Sequence, residues 1–212
     1  MAQAVRTEGW AMIGVHDEGG LRLIRLARPD KANALTAAML EALTQAVEGA
    51  AAAQALVLTG EGRVFSAGAD LAAAAEGLAV SPLWEQLSGA IAAFPGLTVA
   101  ALNGTLAGGA FGMALACDCR IAVPGANFFY PVMRLGYLPQ PSDPGRLTAL
   151  VGPARAKMIL MGGAKIGADE ALAWGLVDRI VPPEALMEAA RALCADALAA
   201  PPAHGAAIKR ML

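Results

Sequence analysis

Leu106-Ala-Gly-Gly-Ala-Phe-Gly-Met-Ala-Leu-Ala-Cys-Asp118 decides how this chain is read. Two glycines stand where an apolar helix begins, and no catalytic side chain accompanies them. A Gly-Gly pair lets backbone approach a ligand closely, and the first turn of the following helix offers unpaired N–H groups and a positive dipole end. Such a start suits an oxyanion or a polarised carbonyl. It equally suits close packing through small residues in an alanine-rich chain, so the segment alone leaves both roles open.

Working outward, strand and helix patterns alternate on both sides of this segment. Ala11–His16 and Leu21–Leu26 read as short strands around an Asp17–Gly20 turn, and Arg28-Pro-Asp30 ends the second. Thr36–Ala52 has helical spacing, with Thr36 as cap and Met39, Leu40, Leu43 and Val47 on one apolar face. Ala55–Thr59 reads as a buried strand, Trp84–Phe94 as a helix stopped by Pro95-Gly96, and Thr98–Leu102 as the next strand. The Gly-rich turn and helix over Leu106–Cys117 follow, then a strand at Arg120–Val123. Repeated strand, turn and helix units predict an α/β fold in a single domain of 212 residues, with no internal repeat standing out. A doubly wound sheet is the alternative within that class.

Composition narrows the partners. The 57% hydrophobic share rests on alanine, because aromatics are only 5%. A formal charge of -2 gives no general attraction to nucleic acid or an anionic membrane. Charged residues interrupt the apolar runs, so the expectation is a cytoplasmic protein without membrane spans. Three cysteines, Cys117, Cys119 and Cys194, show neither metal-ligand spacing nor a disulfide framework. No Rossmann or Walker loop is present: Gly104-Thr-Leu-Ala-Gly-Gly lacks the glycine spacing and the Lys-Ser/Thr ending.

Six segments in order carry a resemblance. Arg28–Leu35 (RPDKANAL), Phe65–Asp70 (FSAGAD), Leu106–Asp118, Arg134–Pro139 (RLGYLP), Arg146–Gly152 (RLTALVG) and Ala168–Pro182 together resemble the enoyl-CoA hydratase/isomerase (crotonase) family. The resemblance spans about residues 12–210. It implies a spiral of β-β-α units, with the core at about residues 11–182 and a shortened C-terminal helical region at about 183–212. It also implies an acyl-CoA ligand, with coenzyme A carried in by the substrate and no tightly bound cofactor or metal, and a homotrimer or dimer of trimers. Fatty acid metabolism is the implied setting.

The resemblance also assigns residues. The backbone N–H groups of Ala69 and Gly109 become the two oxyanion donors. Asp30, Lys31 and Ala32 fall along the adenine and pantetheine arm, Ala67 and Asp70 near the adenine, and Arg28 with Lys31 become candidates for neutralising phosphate. Asp70 also reads as a cap for a Leu71–Glu76 turn. The two glutamates of family hydratases have no counterpart, since their positions fall on Gly112 and Val132. Neither side chain can transfer a proton, so standard hydration is expected to be weak. The substitutes weighed are Asp143 in Gln140–Gly145, then Tyr137, with Tyr130 reaching the pocket from the other side; Asp143-Pro144 equally signals a turn. His16 and His204 read as surface or packing residues, and Cys117-Asp118 as a structural pair. Three functions stay open: an acyl-CoA enzyme acting through a thioester enolate, a non-catalytic acyl-CoA-binding or structural subunit, and a hydrolase, decarboxylase or lyase.

Overall fold

In the computed structural model, which describes residues 8–212, the chain opens with an antiparallel hairpin, β1 (Ile13–Glu18) and β2 (Leu21–Leu26). Gly19 and Gly20 both take positive φ, 55° and 85°, as a two-residue turn of matching twist requires. The first strand starts and ends two residues later than expected, because residues 11 and 12 belong to a short helical turn at Glu8–Met12. Helix α1 (Ala37–Glu48) is capped by the Thr36 side chain, which accepts from the Met39 N–H, and buries Met39, Leu40, Leu43 and Val47. It ends at Glu48, four residues short of Ala52, with Gly49 as its C-cap.

Three successive units then build the spiral. Each gives one strand to a large sheet, one to a small sheet, and then helix. The first unit is β3 (Ala55–Gly60), β4 (Val64–Ser66), α2 (Leu71–Ala75) and α3 (Leu83–Ala93). The second is β5 (Leu97–Leu102), β6 (Thr105–Ala107) and α4 (Phe111–Ala116), and the third is β7 (Cys119–Ala122), β8 (Asn127–Phe129) and α5 (Val132–Leu135). Then come α6 (Asp143–Val151), α7 (Pro153–Leu160), β9 (Ile166–Gly167), α8 (Ala168–Trp174), β10 (Arg179–Ile180), α9 (Leu186–Ala199) and α10 (Pro202–Lys209). The large sheet runs β1-β2-β3-β5-β7-β10 and the small one β4-β6-β8-β9. This is the spiral of β-β-α units that the sequence implied, and it corrects the expectation that no repeat organises the chain.

Parallel pairing explains the hydrophobic runs. Val57 pairs with Leu23 on one side and Val99 on the other, and every residue of β3 up to Thr59 is buried. A strand covered on both faces needs apolar residues throughout rather than in alternation. Helix α9 packs across β3, β5 and β7, with Ala190 and Cys194 fully buried. The expected helix over Leu106–Cys117 is shorter than its apolar run. Leu106 and Ala107 belong to β6, Gly108–Ala110 form a 3-10 turn, and only Phe111–Ala116 are α-helical.

Candidate functional site

The small sheet places two loops side by side. β4 and β6 are parallel neighbours with Ser66 opposite Leu106, so Ser66-Ala-Gly-Ala69 and Leu106-Ala-Gly-Gly109 leave adjacent strand ends in step. The loops touch at their glycines. A Cβ on Gly68 would lie 2.9 Å from the Ala107 carbonyl oxygen, and one on Gly108 3.6 Å from the Gly68 Cα. Gly68 also holds φ at 91°, a conformation that L side chains rarely adopt. Each glycine is followed by one of the two expected donors. Leu35 donates to the Gly68 carbonyl and accepts from the Asp70 N–H, which turns the intervening Ala69 N–H away from that contact. Gly109 lies in the 3-10 turn that begins the helical stretch.

Ala69 and Gly109 line one cavity of about 290 Å³. Its walls are mainly apolar, with Trp84, Phe129, Tyr130, Val132 and Leu138 among them. Trp84 is fixed by its indole N–H, which donates to the Leu78 carbonyl at 2.7 Å. Its ring would lie 3.2 Å from a Cβ on Gly109, so a side chain there would have to displace the indole.

Neither residue at the two glutamate positions is ionisable, but an acid is close by. Gly112 is buried in α4, and Val132 is buried in the cavity wall. A Cβ on Gly112 would meet Asp143 Oδ1 at 3.0 Å, so the Asp143 carboxyl fills the space beside that glycine. Asp143 is fully buried and does not line the cavity. Rather than standing in a turn, it opens α6, with Pro144 in the first helical turn. Its Oδ2 accepts the Tyr130 hydroxyl proton at 2.9 Å, and its Oδ1 has no hydrogen-bond partner among the described residues. Burial pushes the Asp143 carboxyl up to about 6, against smaller downward pulls from Tyr130 and Arg146. Burial also raises Tyr130 above the ordinary phenol range. Behind the pair, Ser142 donates to Glu85 of α3 through both its N–H and its hydroxyl, which fixes the start of α6. Tyr137 lines the cavity and is 39% exposed.

The residues expected to serve coenzyme A divide into committed and free groups. Arg28 donates to the Ala34 carbonyl at 2.9 Å and to Asp70 Oδ2 at 2.8 Å, so its charge is already paired. Asp70 also accepts from the Ala72 and Ala73 N–H groups and caps α2, which ends one residue before Glu76. The Arg28 contact holds its carboxyl below the usual range. Asp30 and Lys31 are exposed in a short helical turn at Pro29–Lys31. Ala32, at φ 51°, accepts from the Ala67 N–H at 3.0 Å and ties this segment to the first glycine loop. Buried Asn33 secures the tie, accepting from the Arg28 N–H and donating to the Glu61 and Val64 carbonyls.

Sequence reasoning missed Trp84, Asn33 and the Glu85–Ser142 contact, and ranked Tyr130 behind Tyr137. A signal for Tyr130 existed in the repeat. β8 pairs with β6, Phe129 opposite Ala107, so Tyr130 follows its strand as Gly108 follows β6. Cys117 is a packing residue: its thiol donates to the Met113 carbonyl, and burial pushes it up to about 12. Among the described residues no cluster of His, Cys, Asp or Glu is arranged to hold a metal ion, and no helix is long and apolar enough to cross a membrane.

A spiral of β-β-α units with glycine loops aligned over an apolar cavity defines a crotonase-type architecture. The chain belongs to the enoyl-CoA hydratase/isomerase (crotonase) family, whose model matches residues 16–212. It is 40% identical over 197 residues to a "probable enoyl-CoA hydratase" of Rhodobacter capsulatus, covering 90% of this chain and 77% of that one. It is 36% identical over 206 residues to the carnitinyl-CoA dehydratase of Salmonella typhi, covering 91% and 77%. Among solved structures, the enoyl-CoA hydratase of Bacillus anthracis superposes with a TM-score of 0.87 at 31% identity, covering 94% of this chain and 81% of that one.

Proposed function

We propose that this chain binds an acyl-CoA thioester and stabilises negative charge on its carbonyl oxygen with the Ala69 and Gly109 N–H groups. The observation behind this is the in-step pair of glycine loops, which brings both residues to one cavity from positions 40 apart in sequence. Fixed amides need not reorganise as charge develops, which makes them effective toward an enolate. Asp30, Lys31, Ala32 and Ala67 would accompany the coenzyme A arm. Lys31 carries the phosphate contact, because Arg28 is engaged by Asp70. The working form is a homotrimer or dimer of trimers in the cytoplasm, and the pathway is fatty acid metabolism.

The site supports two readings of the chemistry: an enzyme with non-standard acid–base groups, and a subunit that only binds. Gly112 and Val132 favour the second for hydration, while the buried carboxyl beside Gly112 favours the first for other proton transfers. The test is calorimetry with short, long and aromatic acyl-CoAs, using NAD and ATP as controls, together with crotonyl-CoA hydration. Heat with at least one thioester and none with the controls is expected. Hydration should stay well below the roughly 1 per second usual for an enzyme. A folded protein that binds no thioester would overturn the proposal.

A further inference from the structure

We infer that Tyr130, backed by Asp143, removes and returns the α-proton of the bound thioester. This rests on the acyl-CoA reading above and adds a proton-transfer pair to it. Tyr130 stands one strand over from Gly108 in the same register row of the small sheet, and parallel strands lie about 4.8 Å apart. That row puts a phenol beside the loop carrying the Gly109 amide, and Tyr130 lines the same cavity. Asp143 sits behind it, shut off from the cavity, with its carboxyl in the space beside Gly112.

The hydrogen bond already runs in the direction that deprotonation needs. Tyr130 donates to Asp143 Oδ2, and the Gln140 N–H donates to the phenol oxygen at 3.4 Å. As the α C–H bond breaks, its proton goes to Tyr130 Oη and the Tyr130 hydroxyl proton passes to Asp143 Oδ2. The C–H electron pair moves onto the thioester as an enolate, whose oxygen meets the Ala69 and Gly109 amides. The Tyr130 hydroxyl, at the cavity wall, gives up the abstracted proton to solvent and takes one back; reversal then returns that solvent-derived proton from Tyr130 to carbon while Asp143 restores the phenol. No co-reactant is consumed. Stacking of Tyr130 on Phe111, with centroids 5.3 Å apart, keeps the ring in place.

The pair works only with Asp143 ionised. The titratable and charged groups that act on it are Tyr130, Arg146 on its own helix and Glu85 on α3; of the other elements packed on α6, α4 brings no titratable side chain, and α7 carries Arg155 and Lys157, which do not act on Asp143. With its carboxyl up at about 6, exchange should rise with pH through that value. The experiment incubates the full chain with butyryl-CoA and octanoyl-CoA in deuterium oxide, reads α-deuteration by mass spectrometry, and measures binding of the same ligands by calorimetry. Wild type should incorporate deuterium. Tyr130→Phe, which removes only a hydroxyl, should bind within about twofold and exchange about a hundredfold or more slower. Asp143→Asn should lose the inflection near pH 6. Binding without exchange in the wild type, or exchange by Tyr130→Phe at the wild-type rate, would overturn the inference and leave the acyl-CoA reading standing. Failure of the wild type to bind either ligand would also overturn the inference, and the acyl-CoA reading falls with it only if the long and aromatic acyl-CoAs give no heat either.

Discussion

At Asp143 the cost of burying a carboxyl and the proton-transfer role proposed for it come from the same contact set. Burial holds the carboxyl at about 6, above the ordinary 3.8, so between those pH values the folded chain holds a proton that the unfolded chain has lost. Stability therefore falls as pH rises through that window, by roughly 3 kcal/mol in total for this one group. Asp70 has the opposite sign. Its lowered value contributes stability that is lost as pH falls through its folded value, below the ordinary carboxylate range. Asp143→Asn keeps an oxygen for the Tyr130 hydroxyl and cannot ionise. Its melting temperature should hold nearly level from pH 4 to pH 6 while the wild type declines. Thermal melts across that range decide it, and equal slopes for the two proteins would refute the account. Asp143-Pro-Gly145 reads locally as a turn, which is why its burial escaped sequence reasoning. What buries it, Tyr130 and Gly112, lies 13 and 31 residues away. Asp70 was legible because a cap is a local event: acceptor and donors lie within three residues.

Among the elements, α4 carries the most consequence for its length. Six residues cannot hold a helix alone, so both ends must be fixed from outside. Its start follows the second glycine loop, and its end is held by Arg120 on β7. The buried guanidinium donates to the Cys117 carbonyl at 2.6 Å and the Leu176 carbonyl at 3.0 Å, with a 3.6 Å ion pair to Asp178. Asp178 is 44% exposed, so the carbonyl contacts matter more than the ion pair. Arg120→Met would keep the bulk and leave those carbonyls without a donor. It should lower stability by about 3 kcal/mol, measured by urea unfolding, and weaken acyl-CoA binding by loosening the Gly109 turn. Unchanged stability would show that the arginine is dispensable. Long elements were legible from pattern, as α1 and β3 were. The three-residue strands β4, β6 and β8 were not, because alternation has no room to appear in so short a segment. Their recurrence after each large-sheet strand was the available clue, visible in Ser66-Ala-Gly-Ala69 beside Leu106-Ala-Gly-Gly109.

For the whole molecule, the apolar surface near the cavity bears on assembly. Leu71 is 88% exposed and Leu138 86%, and both line the cavity. Apolar side chains grouped at a cavity rim mark a surface that works while covered, by ligand or by another chain. Self-association into trimers is the expected state. Light scattering over a range of concentrations checks it, and monomers throughout would count against it. The contact between Arg120 and residues 176–178 also orders events in time. Ala69 and Gly109 leave the ribosome early, yet the helix behind Gly109 gains its last anchors only after the Leu176 carbonyl has been synthesised. A nascent chain halted before that residue would carry both glycine loops and still lack a finished site. The proposed site would thus be completed only once residues 176–178 have been synthesised.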